Sequence, residues 1–256
     1  MNEGRTINVG VLGAGNFANV QHLPNLKRIN NVNVVSICDV DEEKAHRTAA
    51  DFEIPTVYTD GHEMIKKESL DAMWSIVPAY TRTDIEVAAA EKGIHLFSEK
   101  PQAMTMDVAR RIDEAVRKGG VISTVCFRER YRPIFMEAKR LLAEKEVVHI
   151  RFQSVSQLPS LPSDGATWSS QLDKGGTSWF DWGPHAVDYS RYMSDLDVVK
   201  AQCFFNHPDR HPIPTSASFN FVMSNGATMT MSFVAASPGK PAEEPYFLLY
   251  YEGGYV

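Results

Sequence analysis

Apolar and polar positions divide the chain into two textures. In the first half, apolar runs at Ile7–Leu12, Val32–Cys38, Ala72–Val77, His95–Ser98 and Val121–Cys126 alternate with helical patterns near Glu42–Asp51, Arg82–Glu91 and Met106–Lys118. The runs are apolar through most of their length, as expected for strands buried on both faces of a parallel sheet. Strand–helix alternation at this spacing predicts a doubly wound α/β fold. Pro24 interrupts the first helical pattern, which predicts a kink or a late start there.

After Cys126 the alternation stops. One more helix is expected at Pro133–Ala143, then a long strand at Val147–Ser156, a Pro/Ser-rich loop at Gln157–Ser170 and a helix at Trp179–Met193. Strands follow at Val198–Phe205, Ser216–Met223 and Ala227–Ala235, with Asn225-Gly226 as the hairpin turn between the last two. This texture predicts an α+β domain with an open, largely antiparallel sheet, and the domain boundaries fall at 1–126 and 127–256. Tyr246–Tyr251 reads as a strand and Glu252-Gly253-Gly254 as a turn, yet only Tyr255 and Val256 follow. The expectation is a hairpin without a second arm, leaving an unpaired sheet edge: a fragment, or an edge that a partner covers.

Composition narrows the partners. Of the 256 residues 43% are hydrophobic and 23% charged, which is ordinary for a globular chain. The net charge of −6 argues against nucleic acid or an anionic membrane surface as partner. No apolar stretch has the length of a membrane span, and the polar start is unlike a signal peptide. Cys38, Cys126 and Cys203 are odd in number and far apart, and the first two fall in apolar runs where a buried thiol is the default. The expected compartment is a reducing cytoplasm.

The first strand runs straight into Gly13-Ala14-Gly15-Asn16-Phe17-Ala18, and the second apolar run ends on Asp39, 26 residues beyond Gly13. A dinucleotide requires this layout. Gly13 allows the tight turn, Gly15 lets backbone approach the pyrophosphate, and Ala18 lets the helix pack close to the strand. Free N–H groups at the start of that helix face the phosphates. Asp39 is placed to accept hydrogen bonds from a ribose diol, and a 2′-phosphate against it would be repelled. NAD is therefore the expected cofactor, with NADP the alternative because Arg47 lies in the following helix. The alternative is a structural turn that binds nothing.

Two further segments carry chemistry. Pro101 keeps Lys100 extended beyond the strand His95–Ser98, at the carboxyl end of the sheet where ligands bind; an ordinary solvated loop cation is the alternative. Asp181, His185 and Asp188, at i, i+4 and i+7, form a polar stripe on an otherwise aromatic helix. A buried histidine beside a carboxylate suits a general acid or base, and the alternative is an intrahelical pair that satisfies a core histidine. No metal site is expected, since no further ligand cluster accompanies the stripe. Pro184 removes the hydrogen bond to the Phe180 carbonyl, so a local kink is expected. His207 and His211 read as a loop because of Pro208 and Pro212, and Gly175-Gly176 as a turn. Trp168 and Trp182 read as buried more readily than as sugar platforms.

Together these features resemble the Gfo/Idh/MocA family, the glucose–fructose oxidoreductase and inositol dehydrogenase group. The signposts are Gly13-x-Gly15-x-x-Ala18, Pro78, Glu99-Lys100-Pro101, Gly175-Gly176 and Asp181-x-x-x-His185-x-x-Asp188. The resemblance implies an N-terminal Rossmann domain that binds NAD(P) through Gly13, Gly15, Asn16, Phe17, Ala18, Asp39, Pro78, Glu99 and Lys100. It implies a second domain for substrate and for dimer or tetramer contacts through its sheet. It implies hydride transfer to or from a secondary alcohol of a sugar, cyclitol or related polyol. His185 would be the acid/base, Lys100 would polarise the substrate oxygen, Asp181 would orient and Asp188 would lie behind them. In many members the Lys–Pro bond is cis. Two other activities exist among relatives: NAD-dependent glycosidases that oxidise transiently and eliminate, and non-catalytic regulators that bind nucleotide or sugar. Two departures stand out. Arg82 replaces a histidine frequent four residues after Pro78, and members usually continue for several tens of residues beyond the last Gly-rich turn.

Overall fold

The computed structural model describes residues 4–82, 84–157, 171–237 and 246–256. The chain forms two units, Met1–Cys126 and Phe127–Val256. In the first, β1 (Ile7–Leu12) leads to a π-helical turn (Ala18–His22) that continues into α1 (Leu23–Leu26). Then come β2 (Val32–Cys38), α2 (Glu42–Phe52), β3 (Thr56–Tyr58), α3 (Gly61–Lys67) and β4 (Ala72–Ser75). The unit closes with α4 (Ile85–Glu91), β5 (His95–Ser98), α5 (Met106–Gly119) and β6 (Ser123–Val125).

All strand pairs in this unit are parallel, in the order β3-β2-β1-β4-β5-β6. The order reverses between β1 and β4, and that switch point is where a doubly wound sheet opens its ligand crevice. Alternation along β1 sends Val9 and Val11 into one core with Leu23, Leu26 and Ala49. Leu12 enters the other core, with Met64, Met73, Ile94 and Ile112. Each buried Val, Leu, Ile or Met side chain contributes about 1.5–3 kcal/mol.

The expected break at Pro24 takes the form of the π turn. The Leu23 amide reaches back to the Ala18 carbonyl, a five-residue step that widens the helix just ahead of the proline. β3 and α3 lie outside the sequence expectation. β3 has three half-buried residues, too few to show a period. The Asp60 carboxylate caps α3 by accepting from the His62 amide at 2.8 Å.

The second unit contains α6 (Pro133–Leu142), β7 (Val147–Gln157), α7 (Ser178–Ser194), β8 (Val198–Asn206), β9 (Ser216–Met223), β10 (Thr228–Ser237), β11 (Tyr246–Tyr251) and β12 (Gly254–Tyr255). Strand order is β12-β11-β7-β10-β9-β8, and every pair is antiparallel except the central β7–β10 pair. Ala186, Tyr189 and Met193 of α7 pack onto Ile150, Phe152, Met229, Met231 and Phe233 of the sheet.

Gly226 at φ +91° makes the expected hairpin turn. The expected hairpin without a second arm is corrected: Gly254 and Tyr255 pair back on Tyr251 and Tyr250. All but the first residue of the loop expected at Gln157–Ser170 lies outside the described residues, as does Trp168, and Gln157 itself ends β7. Among the described residues no helix is long and apolar enough to cross a membrane.

Candidate active site

Gly13 sits at the tip of β1 with φ +102°, and its amide donates to the Cys38 carbonyl at 2.7 Å. A Cβ there would lie 2.4 Å from the Ile76 carbonyl oxygen, so the turn admits only glycine. At Gly15 a Cβ would meet nothing within 4 Å, which leaves the space before the helix open. Ala18 is fully buried against the strand. Asn19 fastens the loop, its amide donating to the carbonyls of Ala14 and Gly15 at 2.9 Å each, while Thr48 donates to its oxygen at 3.1 Å. Asn16 and Phe17 are exposed at the start of the helix.

Asp39 follows β2, as expected, and is tied to the glycine loop. Its Oδ2 accepts from the Ala14 amide at 2.7 Å and its Oδ1 from the Asp41 amide at 2.9 Å. A carboxylate has about four acceptor positions, so two remain for hydroxyl groups. Open backbone at Gly15, free N–H groups at the helix start and a held carboxylate at the next strand tip together fit a dinucleotide with a free ribose diol.

Beyond β4 and β5 lies a buried polar cluster. Pro78 begins a short 3-10 turn that ends before Arg82. Arg82 is 2% exposed and donates to the carbonyls of Val77, Ser75 and Glu99. Burial pulls its guanidinium below its ordinary range, opposed by Glu86 and Glu99. Arg82 is thus a strut between strand tips. Glu99 is buried and shares a 2.9 Å hydrogen bond with His22 Nε2. Burial disfavours its charge, but hydrogen bonds from His22 and Cys126 outweigh that and hold the carboxyl below the usual range. The Lys100–Pro101 peptide is cis, and Lys100 is half-buried.

In the second unit, Gly175 at φ +76° makes the expected turn, and Thr177 accepts from the Phe180 amide at 3.2 Å to cap α7. The helix runs as α-helix from Ser178 to Ser194 with Pro184 inside it. His185 is 5% exposed, among the rings of Phe127, Trp182 and Tyr189 at 5.7–6.1 Å. Trp182 itself is 39% exposed, against the expectation of burial. Asp181 is half-buried and Asp188 buried. Both Asp188 oxygens accept from Arg130, which also lies over the Phe127 and Tyr192 rings. The stripe is thus present, with its far end held by an ion pair.

A pocket of about 680 Å³ opens against α7, lined by Pro184, Val187, Arg191, Cys203 and Phe219 among others. His185 does not line it, but Asp188 of the same stripe and Phe127, whose ring meets His185, both do. Sequence reasoning missed His22, Cys126 as a polar partner, and Arg130. The alternating charges of Arg128-Glu129-Arg130-Tyr131-Arg132 were a usable signal for Arg130. His22 had none, because its partner is 77 residues away.

Two family models match. Residues 7–127 match the oxidoreductase family, NAD-binding Rossmann fold, and residues 135–256 match the GFO/IDH/MocA C-terminal domain. Inositol 2-dehydrogenase 4 of Saccharopolyspora erythraea is 33% identical over 83% of this chain and 59% of its own length. The scyllo-inositol 2-dehydrogenase (NAD(+)) of Bacillus subtilis is 25% identical over 75% of this chain and 55% of its own. The chain thus spans a little more than half the length of these curated relatives. Among solved structures, GenD2 from gentamicin A biosynthesis in complex with NAD superposes with a TM-score of 0.84, at 22% identity, over 98% of this chain and 72% of that one. That likeness establishes the fold.

Proposed function

The chain belongs to the GFO/IDH/MocA oxidoreductase family, and on that premise we propose that it is an NAD-dependent dehydrogenase of a secondary alcohol in a cyclitol, sugar or related polyol. The observation that carries the reading is the cradle at Gly13–Asp39, where a strained glycine turn, open space at Gly15 and a tethered carboxylate coincide. The inositol dehydrogenases among the relatives support the substrate class.

Bound nicotinamide would supply the hydride acceptor, or the donor in reverse. His185 takes the hydroxyl proton as the carbon gives up hydride, and returns it in the reverse direction. The buried ring setting restricts that imidazole to few orientations. Lys100 hydrogen-bonds the same substrate oxygen, and its charge stabilises the developing alkoxide. Asp181 orients substrate or histidine. Asp188, held by Arg130, braces the helix behind them. Asp39 and the N–H groups after Gly15 hold ribose and pyrophosphate, while Glu99, Pro78, Asn16 and Phe17 complete the cofactor contacts and fully buried Ala18 lets the helix close on the strand. Exposed residues of the sheet carry subunit contacts in a dimer or tetramer.

The test is titration of the full chain with NADH and NADPH, read by energy transfer from tryptophan to nicotinamide. NADH is expected to bind at least tenfold more tightly; equal or reversed affinity removes the role given to Asp39. Polyols are then screened with NAD. Lys100→Met should abolish NADH formation while leaving NADH binding intact, and full activity in that variant would sink the mechanism. Leaving-group release without NADH accumulation would instead indicate the glycosidase variant of this chemistry.

A further inference from the structure

We infer that His22, Glu99 and Cys126 form a binding site for one divalent cation of the zinc or cobalt class. His22 Nε2, a Glu99 carboxylate oxygen and Cys126 Sγ all lie within 4.8 Å of one another. Zinc binds nitrogen, oxygen and thiolate ligands at about 2.0–2.3 Å, which sets ligand atoms roughly 3–4 Å apart around a tetrahedral ion. The widest gap therefore closes by roughly 1 Å. One imidazole, one carboxylate and one thiolate suit zinc or cobalt and exclude magnesium and calcium, which take oxygen ligands.

The ligands stand on rigid supports. His22 ends the π turn, and its ring packs edge-on against Phe17 at 5.3 Å and Phe97 at 5.6 Å. The Glu99 amide donates to Ser75 at 2.9 Å, and the Cys126 amide donates to Ser98 at 2.8 Å, so both sit at strand tips. Charge also favours an ion. The His22 and Glu99 side chains are only 9% and 10% exposed. The half-buried Cys126 thiol hydrogen-bonds the Glu99 carboxylate, and a dication that displaced its proton would offset the thiolate and the carboxylate together. Arg82, the nearby cation, is already engaged by Glu86 and by backbone carbonyls. Three protein ligands leave a fourth position for water or an added ligand, the pattern of reactive rather than closed zinc sites. Glu99 is the one residue shared with the dehydrogenase reading; Lys100 and His185 take no part, and the cobalt test is run without nucleotide.

The experiment adds cobalt(II) chloride to the reduced full chain without oxygen. Expected is a thiolate-to-cobalt charge-transfer band in the near ultraviolet that saturates at one ion per chain and is bleached by zinc chloride. Calorimetry with zinc chloride should report the same stoichiometry with release of a thiol proton. Cys203→Ser should keep the band, whereas Cys126→Ser should lose it and weaken zinc binding about a hundredfold or more. Circular dichroism checks that the variants fold, with Cys126→Ala in reserve. No charge-transfer band at saturating cobalt, or a band that survives loss of Cys126, overturns the site and leaves the cluster a hydrogen-bonded strut.

Discussion

Arg82 ties the strand tips of the first unit together. Its guanidinium serves three carbonyls at the strand tips and lies 3.8 Å from Glu86, both side chains being almost wholly buried. Replacing one partner of a buried pair strands the other charge, at a cost of about 3–5 kcal/mol. Arg82→Met should therefore lower the urea midpoint sharply, and Arg82→Met with Glu86→Leu should recover part of it. A loss below about 1 kcal/mol in the single variant would show that the pair is incidental. Cys38 gives a pH dependence. Burial, then the neighbouring Asp39 and Asp60, raises its thiol from 9.0 to about 12. The folded state thus favours the protonated form: its contribution is complete below pH 9.0 and fades as pH rises towards 12. A short alkylation pulse at pH 8, read by mass spectrometry, should label exposed Cys203 and spare Cys38. Equal labelling of the two would contradict it.

At the scale of the element, the two loop glycines after β1 separate folding from binding. Gly13 has positive φ and a carbonyl at 2.4 Å from any Cβ, whereas Gly15 has neither constraint. Gly13→Ala should cost about 2 kcal/mol or more in the free protein, seen as a lower melting temperature. Gly15→Ala should melt unchanged yet bind NADH at least tenfold more weakly, since its methyl enters the space a pyrophosphate takes. Equal effects of the two on melting would remove the distinction. Both glycines were legible in the sequence, because a long apolar strand precedes them and Asp39 ends the next one. So were β2, α5, α7 and the Asn225-Gly226 hairpin, each long enough or turn-marked enough to show its period. β3, α3 and β12 were not, being two to seven residues long with mixed burial. The π turn depends on Pro24 but cannot be told from an ordinary kink by composition. The grouping of His22, Glu99 and Cys126 is set by the fold alone, since no spacing rule links a helix to two strand tips.

For the whole molecule, the open sheet poses the question of association. Every residue of β8 from Val199 to Asn206 is exposed, including Phe204 at 59% and Val199 at 58%. An exposed edge strand bearing large apolar groups invites pairing or coverage. Lys200 is its single basic residue and does little to blunt the edge. Phe205 packs against Trp179 and Phe219 of its own unit, so it is the wrong probe, whereas among the described residues Phe204 forms no such ring stack. The full chain should therefore sediment as a dimer or tetramer at micromolar concentration. Phe204→Glu with Val199→Glu should shift it towards monomer without lowering its melting temperature. The buried core of the second unit lies between α7 and the sheet, away from both substitutions. A monomeric parent chain would refute subunit contacts through this sheet. An unshifted oligomer in the double variant would move them to another surface. In either event NADH binding by the first unit should persist, because that unit has its own two cores and its own cradle.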